Sequence, residues 1–465
     1  MRPSLPSLSS LPSLSSASLK LPSSLKLPSF SSRSSSGEIV GLDIEPGLVA
    51  AVKARVNGSI LAERAAAQPL DADIVREGEV VDIDALTEAL REMFSAGGLG
   101  KRVRVGIANQ RTVMRTIDLP PVTDRKELAA AVRFQAQDQV PMPLSNAVLD
   151  FHPLGLVDTP SGQRQRVVLV AAQRDMVEKL LTAVRRAGLT PEGVDLSAFA
   201  LIRSLHDRAE GETGRVLYLN VDGLANLAIA EGTVCRFTRV IGGGVEAMAG
   251  ELAARRAISL SEARALLASV DLGAPKADEA GAFAKAAPAP AEDAVTAIEA
   301  ALEQEPGEPS DEQPVAEEIT AEQSMTDADA DAARKQHEAQ ERALGYAEQL
   351  AAVQAPPPPA ESASAPDRSD DDIRGVVENG VREIAGEVRN SLDFHRTQEQ
   401  GGEVSHVALS GGALDLPGFA EALQSALGME VRKQVVGLVD ANLQGKVSTN
   451  RLAVAAGLAA TEAPR

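Results

Sequence analysis

The stretch Val404-Ser405-His406-Val407-Ala408-Leu409-Ser410-Gly411-Gly412-Ala413-Leu414-Asp415-Leu416-Pro417-Gly418-Phe419 decides how the rest of the chain is read. Val404, Val407, Ala408 and Leu409 mark a strand that runs directly into Gly411-Gly412. A Leu-Pro-Gly turn follows, and a helix is expected to begin near Phe419. Glycines between a strand and a helix let the backbone approach a ligand closely, because no Cβ stands in the way. Alone, such a pair is more often a plain turn, so its meaning depends on its neighbours.

Working outward, the neighbours fall into an ordered set. Val40-Gly41-Leu42-Asp43-Ile44, the Glu45-Pro46-Gly47 turn and Leu48 to Val56 read as a β-hairpin, with a third strand from Ile60. A helix is expected from Ile83 to Phe94 and a strand over Val103 to Ala108. Val113 to Leu119 reads as a strand and Arg125 to Gln139 as a helix, with Asp124 and Glu127 spaced as a capping box. Strands are expected over Phe151 to Val157, Val167 to Ala172 and Val194 to Ala198, with a helix over Met176 to Ala187. Val216 to Val221, Leu227 to Ala230 and Thr233 to Val240 read as a meander, and a helix over Val245 to Arg256 follows Gly242-Gly243-Gly244. Ile373 to Arg396 has the spacing of a long amphipathic helix.

Composition divides the 465 residues unevenly. The net charge is −20, yet positions 271–372 alone hold 25 acidic and 6 basic residues. The remainder is nearly neutral and has no basic stripe with aromatics, which excludes a general nucleic-acid binder. Positions 1–36 are Ser, Leu and Pro, and Pro every few residues forbids a helix there. Both segments bury too little to offset chain entropy and are expected to be disordered. One cysteine, Cys235, precludes an internal disulfide and suits a reducing compartment. No apolar run reaches the roughly 20 residues of a membrane span, so a cytoplasmic protein is expected.

Four motifs in this order resemble the type IV pilus assembly protein PilM family of the actin-like ATPase superfamily: the turn after Asp43, the related Leu217-to-Gly223 segment, the helix around Glu387-to-Phe394, and the Ser-Gly-Gly turn. The resemblance covers about 37–270 and 373–459 and is strongest in Leu119-Pro120, Phe134-Gln135-Ala136 and Val140-Pro141-Met142-Pro143. It implies an α/β, two-lobed actin/Hsp70-like ATPase fold with an inserted small α+β subdomain and a long disordered acidic insertion. The expected division is a tail at 1–36, the first lobe at 37–110, the inserted subdomain with return to the first lobe at 111–200, the second lobe at 201–270, the insertion at 271–372, and the rest of the second lobe at 373–460.

The resemblance further implies that two hairpins pinch the phosphates of a nucleotide. ATP would then be held by Asp43, Gly47, Asp222, Gly223, Gly242, Gly243, Glu387, Asn390, Gly411 and Gly412, with Mg2+ at Asp43 and Asp222. Plainer readings stand beside these: strand-end aspartates that cap turns, a glycine joint at 242–244, and a solvated helix face at Glu387 and Asn390. The chain also departs from the family pattern. Pro46 removes a backbone donor, Glu45 adds negative charge, and Ala50 stands where a lysine is common. Efficient ATP hydrolysis is therefore not expected, and no P-loop motif occurs.

As a scaffold at the inner face of the cell membrane, such a protein would bind the N-terminal tail of a PilN-like membrane protein. The expected groove lies between the core and the inserted subdomain, with Arg115, Ile117, Leu119, Phe134 and Val140 as its walls. The competing reading is an FtsA-like membrane-associated division protein, which needs a C-terminal amphipathic helix; Leu452 to Ala460 is apolar but has no basic face.

Overall fold

Val40 to Glu45 forms β1, and every residue of it is buried in the computed structural model of the chain. A strand buried on both faces is central to its sheet, and this one lies between an antiparallel and a parallel neighbour. The structure describes residues 38–96, 98–160, 162–206, 214–273, 370–398, 401–439 and 447–460. All of them belong to one unit; the expected tail at 1–36 and nearly all of the expected acidic insertion lie outside the described residues.

From β1 the chain turns at Gly47 (φ 80°) into β2 (Leu48–Asn57) and at Gly58 (φ 71°) into β3 (Ser59–Pro69). These left-handed φ values favour glycine. A short ribbon, β4 (Val75–Arg76) and β5 (Glu79–Val80), leads to α1 (Ile83–Ala96). Asp82 caps α1, its Oδ1 accepting the N–H groups of Asp84 and Ala85 at 2.9 Å each. Next, β6 (Arg102–Ile107) runs parallel to β1.

The chain then leaves this lobe. β7 (Val113–Leu119), α2 (Arg125–Gln139), β8 (Ala147–Thr159) and β9 (Gly162–Gln173) make a three-stranded antiparallel sheet, order β7-β9-β8, with α2 against one face. Asp124 caps α2 through the N–H groups of Lys126 and Glu127, at 2.8 and 3.0 Å. The chain returns through α3 (Arg174–Arg186) to β10 (Thr190–Leu196), parallel to β6. The strand expected to reach Ala198 stops at Leu196, and α4 (Ser197–Leu205) begins there. The cause is packing: Ala198, Ala200, Leu201, Ile202 and Leu205 form one buried face.

The second lobe repeats the pattern. β11 (Arg215–Val221), β12 (Ala225–Glu231) and β13 (Val234–Ile241) form an antiparallel meander, followed by α5 (Val245–Arg256) and α6 (Leu260–Ser269). A full capping box forms at Ser259 and Glu262. The described chain resumes in α7 (Asp370–Thr397), then β14 (Val404–Ser410), α8 (Phe419–Leu427), β15 (Val431–Lys433), β16 (Gly437–Leu438) and α9 (Ala453–Ala459). Strand order is β10-β6-β1-β2-β3-β16 in one sheet and β13-β12-β11-β14-β15 in the other. Without β16 the two orders are the same: three antiparallel strands, then two parallel ones.

Helices α4 and α9 lie between the sheets. Their apolar residues pack with Val52 and Ala62 of the first sheet and with Tyr218, Ala228 and Ala408 of the second. Close approach is possible because the contact residues are small. A Cβ on Gly457 would lie 1.9 Å from the Ala200 carbonyl oxygen, and one on Gly41 would lie 1.8 Å from that of Ala455. The last carbonyls of α9, which have no partner within the helix, accept from arginines. Arg104 Nη1 donates to Leu458 and Ala460 at 2.9 and 2.8 Å, and Arg203 Nε donates to Gly457 at 3.1 Å.

Candidate functional site

Two turns meet where the lobes face each other. Glu45-Pro46-Gly47 joins β1 to β2, and Asp222-Gly223-Leu224 joins β11 to β12. They touch: a Cβ on Gly223 would lie 2.1 Å from the Pro46 carbonyl oxygen. Other glycines close in on the same point. Gly411, at φ 100°, leaves no room for a side chain against Val221. A Cβ on Gly412 would lie 2.7 Å from Asp222 Oδ1, and one on Gly244 would lie 2.4 Å from the Asp222 carbonyl oxygen.

Three carboxylates are buried at this junction: Asp43, Glu45 and Asp222. Burial, with the charge of Asp222 nearby, pushes the Asp43 carboxyl up to about 7. Burial raises Asp222 to about 6, although Arg451 and the Gly412 N–H pull it down. Glu45 is held well above the usual glutamate range by burial and by the charges of Asp43 and Asp222. Its Oε2 accepts the Leu224 N–H at 3.4 Å, while Glu45 Oε1 and Asp43 Oδ1 are buried with no hydrogen-bond partner among the described residues.

The cations beside them are already engaged. Arg451 Nη1 lies 3.0 Å from Asp222 Oδ1, and its Nε donates to Asp415 Oδ2 at 2.9 Å. Arg264 forks onto Glu246 at 2.7 and 2.8 Å and donates to the Leu70 carbonyl at 3.1 Å. A cavity of about 230 Å3 opens here between the lobes, lined among others by Gly47, Glu246, Arg264, Gly412, Asp415 and Arg451.

The structure thus brings together Asp43, Gly47, Asp222, Gly223, Gly411 and Gly412 of the expected nucleotide residues. Of the ten, only Gly47 and Gly412 line the cavity; Asp43, Asp222, Gly223 and Gly411 are packed at the buried junction beside it, and Gly242, Gly243, Glu387 and Asn390 do not line it either. Gly244, not Gly242 or Gly243, packs on Asp222. Glu387 pairs with Arg239 at 2.7 Å, and Asn390 is exposed on α7. Sequence reading missed Arg264 and Arg451, which no local motif marks, and Asp415, which lies inside the Ser-Gly-Gly to Leu-Pro-Gly stretch but was not singled out. Close glycine backbone and a mostly apolar cavity with a few polar side chains fit the base and sugar of a nucleotide. A chain of phosphates fits poorly, because both arginines are neutralised and Glu45 takes a backbone donor. Asp43 and Asp222 offer a cation two carboxylates, but among the described residues no group of three or more His, Cys, Asp or Glu is arranged to hold a metal ion.

A second cavity, about 390 Å3 and mostly apolar, lies between the small sheet and the first lobe. Asp150, His152 and Val170 of β8 and β9 form one wall, Phe199 and Ile202 of α4 another, and Cys235 of β13 closes it. Burial raises the Asp150 carboxyl and pushes the Cys235 thiol up to about 12, so the thiol stays neutral. The groove walls expected from sequence do not line it. Ile117, Leu119 and Val140 are buried beneath α2 in the core of the small domain. Phe134 is 71% exposed on α2, and Arg115 is exposed and bonds the Met114 carbonyl. Val113, Ile117 and Leu119 of β7 face α2, and the cavity lies against Phe151, Val168 and Val170 of β8 and β9 instead.

Residues 41–212 match the family model described as type IV pilus assembly protein PilM. Among solved structures, a chain of a PilM-PilN type IV pilus biogenesis complex is 20% identical with a TM-score of 0.61, the alignment covering 91% of this chain and 98% of that one. Ethanolamine utilization protein EutJ from Carboxydothermus hydrogenoformans is 14% identical, covering 91% and 89%, at a TM-score of 0.42. MreB5 of Spiroplasma citri bound to ADP is 11% identical, covering 90% and 94%, at 0.41. Over residues 41–212 the sequence matches the PilM family model, and the chain shares the two-lobed α/β fold of the chain from the PilM-PilN complex.

Proposed function

We propose that this protein is a scaffold of type IV pilus assembly that docks the N-terminal tail of a PilN-like inner-membrane protein. The observation that carries the reading is the 390 Å3 cavity between the small sheet and the first lobe. It is apolar enough to hold a few aliphatic side chains of an extended segment and has the Asp150 carboxylate for a polar anchor. A short peptide gains specificity from such side-chain pockets. No helix among the described residues is long and apolar enough to cross a membrane. Attachment to the inner face of the membrane would come from the partner. A nucleotide in the cleft would set the angle between lobes, with Asp43 and Asp222 the carboxylates available to Mg2+. The geometry favours holding a ligand over turning it over.

The test is a fluorescence-anisotropy titration with the labelled N-terminal peptide of the PilN-like protein. Val170→Trp, which fills the cavity, and Thr233→Trp, which covers its rim, are expected to weaken binding at least tenfold. Phe134→Ser, on the far side of α2, is expected to leave it unchanged. Equal binding by all four proteins would overturn the assignment of the groove.

A further inference from the structure

The Glu45 carboxylate sits where the Asp222-Gly223-Leu224 turn presents its backbone donors. It is 3% exposed, and its Oε2 accepts the Leu224 N–H at 3.4 Å. Successive backbone N–H groups in a turn make a concave anion site. Here that position is taken by a carboxyl group of the chain itself, from the opposing lobe. Glu45 Oε1 is buried without a hydrogen-bond partner, and Asp43 and Asp222 beside it repel the charge. Left unmade, hydrogen bonds of buried groups are costly, so the arrangement persists because neighbouring packing holds it. Pro46 and Gly223 are in contact beside it.

We propose that Glu45 is a specificity-determining residue: it occupies the anion position of the second turn and makes the cleft discriminate against nucleotides with a terminal phosphate. This rests on the reading that the cleft holds a nucleotide. The discrimination is electrostatic and steric together. A γ-phosphate would have to displace the carboxylate from the Leu224 N–H and share the site with Asp43 and Asp222. Adenosine and its lower phosphates engage the cavity around Gly412, Arg264 and Arg451 without reaching that donor.

The test is calorimetric titration of adenosine, ADP and ATP, each with Mg2+, into the wild type, Glu45→Ala and Glu45→Gln. Thermal melts confirm that each variant is folded. The glutamine variant keeps the side-chain shape and removes the charge, so it remains informative should the alanine variant be unstable. The expected result is an ATP affinity at least tenfold higher in both variants, with adenosine affinity changed less than twofold. Nucleotide binding in all three proteins with unchanged preference overturns the role of Glu45 and leaves the nucleotide reading standing. Absence of binding by any ligand to any of the three overturns both.

Discussion

Arg451 reaches Asp222 at the end of the second sheet, its Nη1 3.0 Å from the carboxylate Oδ1, and its Nε also bonds Asp415 at 2.9 Å. One guanidinium therefore balances two carboxylates from two different segments. Ser448 Oγ and Asn450 Nδ2 hold the other oxygen of Asp415 at 2.7 Å each. Removing one partner of a buried pair leaves the other charge uncompensated, which typically costs about 3–5 kcal/mol. Arg451 is partly open to solvent, so Arg451→Met is expected at the lower end, about 3 kcal/mol. Urea denaturation checks this; a loss below about 1 kcal/mol would mean the network is not coupled to folding.

Gly41 tests the contact between α9 and the first sheet. A methyl group there would lie 1.8 Å from the Ala455 carbonyl oxygen and 2.6 Å from the Ala459 amide nitrogen. Both neighbours are backbone and cannot rotate away. Overpacking of this kind costs roughly 1–3 kcal/mol, occasionally more, and Gly41→Ala is expected at or above the upper value. Differential scanning calorimetry reads the shift; an unchanged Tm would show that α9 does not lie on β1.

Leu119 and Phe134 separate core from surface in the small domain. Leu119 is 4% exposed and Phe134 is 71% exposed. Leu119→Ala is expected to cost about 2–5 kcal/mol, and Phe134→Ser less than about 0.5 kcal/mol. Chevron or equilibrium denaturation of the two variants distinguishes them, and reversal of the order would put Phe134 in the core.

Asp43 gives the cleft a pH signature. Its folded value of about 7 is above its ordinary value of 3.8, because burial and the Asp222 charge favour the protonated form. Between those values the folded chain binds more protons than the unfolded chain. Stability from this group is therefore greatest at low pH and falls as pH rises from about 4 to about 7. Asp43→Asn removes this slope without removing the side-chain volume. The difference in Tm between wild type and variant is expected to move in the variant's favour as pH rises through that window; a constant difference would show that Asp43 does not titrate there.

How much of this was legible beforehand depended on whether the signal was local. The helix Arg125–Gln139 was bounded by Asp124 and by the prolines after Val140, and the strand Val113–Leu119 by Pro120, so their bounds agree with the structure. Gly411-Gly412 was legible because a strand, a turn and a helix surround it. The start of α4 at Ser197 was not, since no breaker separates it from β10 and the turn is set by packing between sheets. The arginines of the cleft were equally silent: Arg264 and Arg451 acquire meaning only from carboxylates far along the chain. Ile117, Leu119 and Val140, expected as groove walls, lie in the core beneath α2, because alternation along β7 marks two faces without saying which one α2 covers.

The placement of α9 has a consequence for biosynthesis. Residues 452–460 fill a space bounded by Gly41, Arg104 and Ala200, all made hundreds of residues earlier. While the polypeptide is still emerging from the ribosome, the early sheet exposes the apolar seat that this helix will cover. The first lobe therefore completes itself only when synthesis has passed residue 460, and until then that seat is the surface a chaperone would shield.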